Sequence, residues 1–192
     1  MGLPDQVNIA LKEWHVVTRA LGSGRQTILL RKGGIQETSG EFEVEHRQFL
    51  LFPTFLHQNL KMLNPEVHAQ FQEHAVEPAT ISIELAAEVT DIIQLASRAQ
   101  LQDLDAEHVW TRALIDKRFD YKPQKPLYLL VLRAYRLNQP ASIQNTHAYA
   151  GCTSWVPLEA PIDCRDATPA IGQDRFEQRR RHIRETIAAA PA

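Results

Sequence analysis

Three segments of the chain carry side chains suited to an anion. In Leu30-Arg31-Lys32-Gly33-Gly34-Ile35 two cations precede two glycines. Charge and open backbone N–H groups can there meet one negative group. A solvated strand end whose glycines only turn the chain is the plainer alternative. In Pro53-Thr54-Phe55-Leu56-His57-Gln58 a proline closes an apolar run. Thr54 then caps a predicted helix, with His57 and Gln58 in its first turn. Such a helix start receives anions through free N–H groups and the helix dipole. His57 is the candidate catalytic acid or base there, although capping alone explains Thr54 equally well. In Arg118-Phe119-Asp120-Tyr121-Lys122-Pro123, taken with Leu132-Arg133-Ala134-Tyr135, bases and aromatic rings interleave. Cations meet phosphate while rings stack on bases. Salt bridging to acids elsewhere in the chain competes with that reading. The candidate anion- or nucleic-acid-binding set is therefore Arg31, Lys32, Thr54, His57, Gln58, Arg118, Tyr121, Lys122, Arg133 and Tyr135.

Charge patterning narrows the partners. The net charge is only −2, so the chain has no global basic footprint. The charge is segregated, however. Between Glu66 and Glu107 nine acids stand against Arg98 alone, and between Arg112 and Arg136 seven bases stand against Asp116 and Asp120. A local basic stretch permits an anionic ligand. No Walker A loop, dinucleotide-binding glycine fingerprint, His-Glu-x-x-His helix or Gly-x-Ser-x-Gly elbow occurs. Glu41, Glu43 and Glu45 alternate without the lysine a metal-dependent nuclease core needs. No metal site is expected, because His46 and His57 lack further ligands at suitable spacing, and no cofactor is indicated. Cys152 beside Trp155 reads better as a small buried residue than as a nucleophile.

Positioning these residues falls to an α+β chain. With 44% hydrophobic residues, its 192 residues can build a real core. Strands and helices do not alternate regularly, which disfavours a doubly wound parallel sheet. A single domain with a mixed or mostly antiparallel sheet, flanking helices and a basic C-terminal helix is expected. Residues 6–13 read as a short helix. Residues 14–21 and 27–32 read as strands paired in a hairpin about Gly22-Ser23-Gly24. An edge strand is expected at 41–45, a buried strand through Phe49–Phe52, and helices at 54–63 and 64–74. Residues 80–84 alternate as a strand, and periodicity leaves 85–96 open between helix and strand. A helix is predicted at 105–115 and a stiff extended connector at 122–126. Residues 127–132 are apolar on both faces, as in a central strand, and can continue to Leu137. A loop-rich stretch with a short strand at 154–156 and an irregular segment then lead to a basic helix at 174–190, capped by Asp174. Residues 1–156 form the expected core, with 157–192 appended to it.

No apolar run approaches bilayer length. Residues 1–6 have neither the basic nor the apolar region of a secretory leader. A soluble, cytoplasmic protein with reduced thiols at Cys152 and Cys164 is expected.

One ordered set of motifs resembles a bacterial family catalogued as domain of unknown function 1802. It comprises Ala10-Leu11-Lys12-Glu13-Trp14, the Leu30–Ile35 segment, Phe42, Pro53-Thr54 with His57-Gln58, Tyr121-Lys122-Pro123, Pro126-Leu127, Leu132-Arg133 with Tyr135, and Gly151-Cys152 with Ser154-Trp155-Val156. It spans residues 7–156. That family carries no assigned activity. Some relatives are joined to a restriction-endonuclease-like domain, so the resemblance implies a DNA restriction or defence setting.

The expected function is a nucleic-acid-associated accessory or recognition module, with DNA, RNA or a nucleotide as ligand. An enzyme acting on a small phosphorylated substrate is the rival, with His57 as acid or base and Arg31, Lys32 and Arg133 holding phosphate. A protein-interaction module that docks its acidic segment on a partner is the third reading.

Overall fold

The computed structural model describes residues 2–32, 46–72, 74–151 and 153–190. Among these residues seven strands form one mixed sheet: β1 (Gln6–Trp14), β2 (Ile28–Arg31), β3 (Gln48–Thr54), β4 (Thr80–Leu95), β5 (Leu127–Gln144), β6 (Trp155–Asp163) and β7 (Thr168–Pro169). Their order is β2-β5-β4-β3-β1-β6, with β7 added on β5. β1 and β3 run parallel, and the other pairs are antiparallel. Among the described residues three α-helices accompany them: α1 (His15–Gly22), α2 (Arg112–Asp120) and α3 (Gln173–Ala189). The structure is α+β, and among the described residues no helix is long and apolar enough to cross a membrane.

β3 shows how the sheet builds two cores. Successive side chains point to opposite faces. Phe49 and Leu51 join the core that holds Leu21, Leu29, Leu101, Leu130 and the α3 residues Phe176 and Ile183. Leu50 and Phe52 join a second core with Ile81, Ile83, Leu137 and Val156. A strand buried on both faces reads as an unbroken apolar run. Pro53 does not end β3, which runs on to Thr54 opposite the end of β1.

The first two elements are interchanged relative to the sequence reading. Residues 6–13 are strand, and the chain after Trp14 is helix. Val7, Ala10 and Leu11 are buried at helix-like spacing because β1 is covered on both faces and its register with β6 breaks between Val7 and Ile9. In α1 the buried Val16, Val17, Ala20 and Leu21 form a true helical stripe. The predicted hairpin therefore does not exist. Gly22-Ser23-Gly24 ends α1 instead: Ser23 N–H donates to Arg19 O and Gly24 N–H to Leu21 O, at 2.9 and 3.0 Å. Gly24 is required twice over, by its φ of 72° and by Ile171, which a Cβ would strike.

Of the stretch 85–96, all but Ala96 resolves as strand, since β4 is continuous over 16 residues to Leu95. A register shift between Val89 and Asp91 gives its apolar residues their helical appearance. The helix predicted at 105–115 splits into a 3₁₀ helix at Arg98–Glu107 and α2, joined by an extended segment in which Trp110 bridges Leu63. The segment 64–74 shortens to a 3₁₀ helix at Pro65–Gln70. The connector at 122–126 is a turn, with Lys122 at φ 47°. β5 runs from Leu127 past Leu137 to Gln144, and β6 extends well beyond the predicted 154–156. The C-terminal helix is present, with Gly172 rather than Asp174 at its N-cap. The edge strand predicted at 41–45, with Gly33, Gly34 and Cys152, lies outside the described residues.

Candidate functional site

The parallel β1 and β3 end side by side, with Trp14 opposite Thr54. The chain leaves β1 into α1 and leaves β3 into a turn at 55–58. The end of β2, the end of α2 and the segment between β5 and β6 close around those strand ends. The enclosure is a cleft of about 590 Å³, within the range of small-ligand sites. Lys12, Glu13, Arg31, Thr54, His57 and Arg118 line it, and Asn145, Thr146, His147 and Ser154 face them from the β5–β6 segment.

Glu13 is nearly buried at 8% exposure. One carboxylate oxygen takes the Trp14 N–H and the other the Arg31 guanidinium, both at 2.9 Å. Arg31 also donates to Lys12 O at 2.9 Å. Burial lowers the Arg31 pKa, Glu13 opposes that shift, and the nearby Arg118 adds to it. The Arg31 Nε is buried with no hydrogen-bond partner among the described residues. The Lys12 ammonium is held on the carbonyls of Tyr149 and Gly151 and stands 5.9 Å from the Phe52 ring centre.

Glu77 supplies the other carboxylate. It accepts the Phe55 N–H at 3.0 Å and the Leu56 N–H at 2.9 Å. The backbone donors that the sequence offered to a ligand are thus taken by a side chain of this protein. No α-helix forms at 54–63. Thr54 Oγ1 donates to Glu13 O at 3.1 Å rather than capping. His57 occupies the left-handed region at φ 62°, and one 3₁₀ turn follows at Leu60–Met62. The electrostatic balance is Lys12, Arg31 and Arg118 against Glu13 and Glu77. Both carboxylates accept hydrogen bonds from this chain, and no carboxylate pairs with Arg118 among the described residues.

Four of the sequence-derived residues converge here: Arg31, Thr54, His57 and Arg118. The other six lie outside the cleft lining. Lys32 donates to Phe119 O at 2.6 Å and Arg118 O at 3.2 Å, which fastens β2 to the C-terminus of α2. Gln58 accepts the Val16 N–H at 3.2 Å and so serves the N-terminus of α1. Tyr121 is 55% exposed, with the Lys122 ammonium 5.0 Å from its ring centre. Arg133 lies 5.7 Å from the Phe176 ring and 5.5 Å from that of Tyr135, under α3. The Tyr135 hydroxyl reaches Glu88 at 3.4 Å, and burial raises its pKa. Sequence reasoning missed Lys12 and Glu13 as site residues. A strand reading of 6–14 would have exposed them, because it turns Glu13 inward. Nothing local marks Asn145, Thr146 and His147, and Ser154 entered only as part of a family motif; all four reach the cleft from the β5–β6 connection.

Among the described residues no group of three or more His, Cys, Asp or Glu side chains is placed to hold a metal. Cys164 is buried, and its thiol is pushed up to about 11 by burial and by Asp163, so it is not a nucleophile at neutral pH.

The chain matches none of the curated proteins. Among solved structures it is similar to crystal structures of ASCH from Zymomonas mobilis. For one the TM-score is 0.45 at 12% identity, covering 95% of this chain and 95% of that chain. For a point mutant it is 0.47 at 12% identity, covering 95% and 98%. A second point mutant gives 0.45 at 13% identity, covering 94% and 99%. The family model described as domain of unknown function (DUF1802) matches residues 10–182, from β1 into α3, and the chain belongs to that family.

Proposed function

We propose that the protein is a nucleic-acid recognition module that receives a single strand of DNA or RNA in the cleft at the ends of β1 and β3. The observation that carries this reading is Arg118. It lines the cleft with no carboxylate paired to it among the described residues, in a lining that also holds Lys12 and the buried Arg31–Glu13 pair. Phosphate meets Arg118 and Lys12, since cationic side chains that neutralise phosphates displace the counterions condensed on the nucleic acid. Thr146 and Ser154 bring hydroxyls to the lining, and Asn145, whose amide nitrogen donates to Pro78 O at 2.9 Å, adds a carbonyl oxygen, groups that can meet a base or sugar. The concave cleft suits an unpaired nucleotide better than a duplex. The His57 ring makes no hydrogen bond among the described residues, so nothing orients it for proton transfer. Binding is therefore better supported than chemistry.

Fluorescence anisotropy with labelled single-stranded and duplex oligonucleotides at several salt concentrations tests the proposal. Single strands are expected to bind best, with affinity falling steeply as salt rises. Arg118→Glu is expected to weaken binding about tenfold or more. No binding of either strand type at low salt, or an Arg118→Glu variant indistinguishable from the parent, overturns it.

A further inference from the structure

A second cleft lies behind the strand end that walls the first. Side chains alternate across a strand. Thr54 and Leu56 therefore line the first cleft, while Pro53 and Phe55 line this one. It encloses about 560 Å³ between α1, β3 and the arm formed by β4 and β5. A register break builds it. Leu85 pairs with Arg136 and Ile83 with Ala141, so two steps along β4 match five along β5. The surplus residues bulge, and Leu137 and Pro140 become part of the wall. Bulges re-aim side chains in this way beside functional sites.

The floor is apolar, made by Leu51, Leu85 and Leu137. A fixed cation stands against it. Arg136 donates through Nε to Gly22 O at 2.8 Å and through one Nη to Ala170 O at 3.2 Å. Main-chain carbonyls thus pin the guanidinium, and no carboxylate among the described residues neutralises it. Arg19 adds a second cation, and its exposed 3.5 Å contact with Glu84 is a weak competitor for an incoming anion. His15 stacks on Phe55 with ring centres 4.6 Å apart. Burial holds its imidazole below the usual range, and its Nδ1 is buried without a partner among the described residues.

We propose that this second cleft binds a small anion carrying a planar ring, with the ring on the apolar floor beside His15 and Phe55 and the negative group on Arg136. A nucleoside monophosphate and an aromatic carboxylate share that chemistry.

Calorimetric titration of the full chain with adenosine monophosphate, benzoate and hexanoate tests it. At least one ring-bearing anion is expected to saturate below about 5 mM, and which of the two does so names the source. Hexanoate is expected to bind more weakly. Arg136→Gln is expected to lower affinity about tenfold. Ser82→Tyr, at an exposed β4 position lining the cleft, is expected to block it while the thermal unfolding midpoint stays unchanged. Arg118→Glu is expected to leave this binding intact, because that residue lines the first cleft and is not part of this lining. Five results overturn the proposal: no saturation by either ring anion, hexanoate binding equally well, undiminished affinity in Arg136→Gln, undiminished affinity in Ser82→Tyr, or loss of affinity in Arg118→Glu. The last outcome moves the ligand to the first cleft and leaves the nucleic-acid reading standing.

Discussion

Arg31 and Lys32 are neighbours in sequence with different fates. Arg31 turns inward against Glu13, while Lys32 clamps onto two carbonyls at the end of α2. Residue type announced that both handle negative charge, but the partner was set by tertiary contact. Glu13 was hidden by a local misreading, because a helix over 6–13 leaves it on a solvated face. His108 is another buried polar residue that spacing does not reveal. Its side chain is fully enclosed, its ring stacks on Trp110 at 5.2 Å, and Nδ1 accepts the Trp110 N–H at 3.3 Å. Burial pushes its pKa from 6.5 down to about 4. Between those values the unfolded ring binds a proton that the folded ring refuses. Its contribution is therefore complete above pH 6.5 and is lost as pH falls toward 4, by about 3 kcal/mol. Urea unfolding of the parent and of His108→Asn at pH 7 and pH 4.5 measures this. The parent is expected to lose more stability than the variant on acidification, and equal losses contradict the assignment.

At the level of elements, legibility followed burial on one face or two. β2 and the core of β5 were readable because an apolar run marked each of them, and α3 because a cap candidate precedes an arginine-rich stretch. β1 and α1 were interchanged because a doubly covered strand with a broken register imitates helical spacing. The Val16-Val17 pair likewise imitates a strand. The segment after Thr54 carried a helix-start pattern, yet Glu77, distant in sequence, satisfies its backbone donors and holds a turn instead. Glu77→Ala leaves those N–H groups to find water and is expected to cost about 2 kcal/mol, as read by urea unfolding at neutral pH. A loss within about 0.5 kcal/mol, the scale of an ordinary surface substitution, shows that the turn stands without it.

Across the whole molecule, the segregated charge is partly explained by folding. Acids of the 66–107 stretch face arginines from other elements. Asp91 meets Arg180 at 2.5 Å, Glu107 meets Arg179 at 2.6 Å, and Glu66 meets Arg25 at 2.5 Å. Two of these arginines belong to α3, whose Phe176, Ile183 and Ile187 seal the core beside the sheet. The C-terminal helix thus has much of its charge committed to the fold. Among the described residues no base between Arg112 and Arg136 joins a salt bridge, so Arg118 brings an unpaired charge to the cleft, while Arg133 is held under α3. Where a strand of nucleic acid settles is therefore the decisive question, and hydrogen–deuterium exchange with and without a saturating single-stranded oligonucleotide answers it. Slower exchange is expected at 56–57 and 145–151, around the first cleft, with α3 unchanged. Protection confined to α3, or none at all, contradicts the placement of the site.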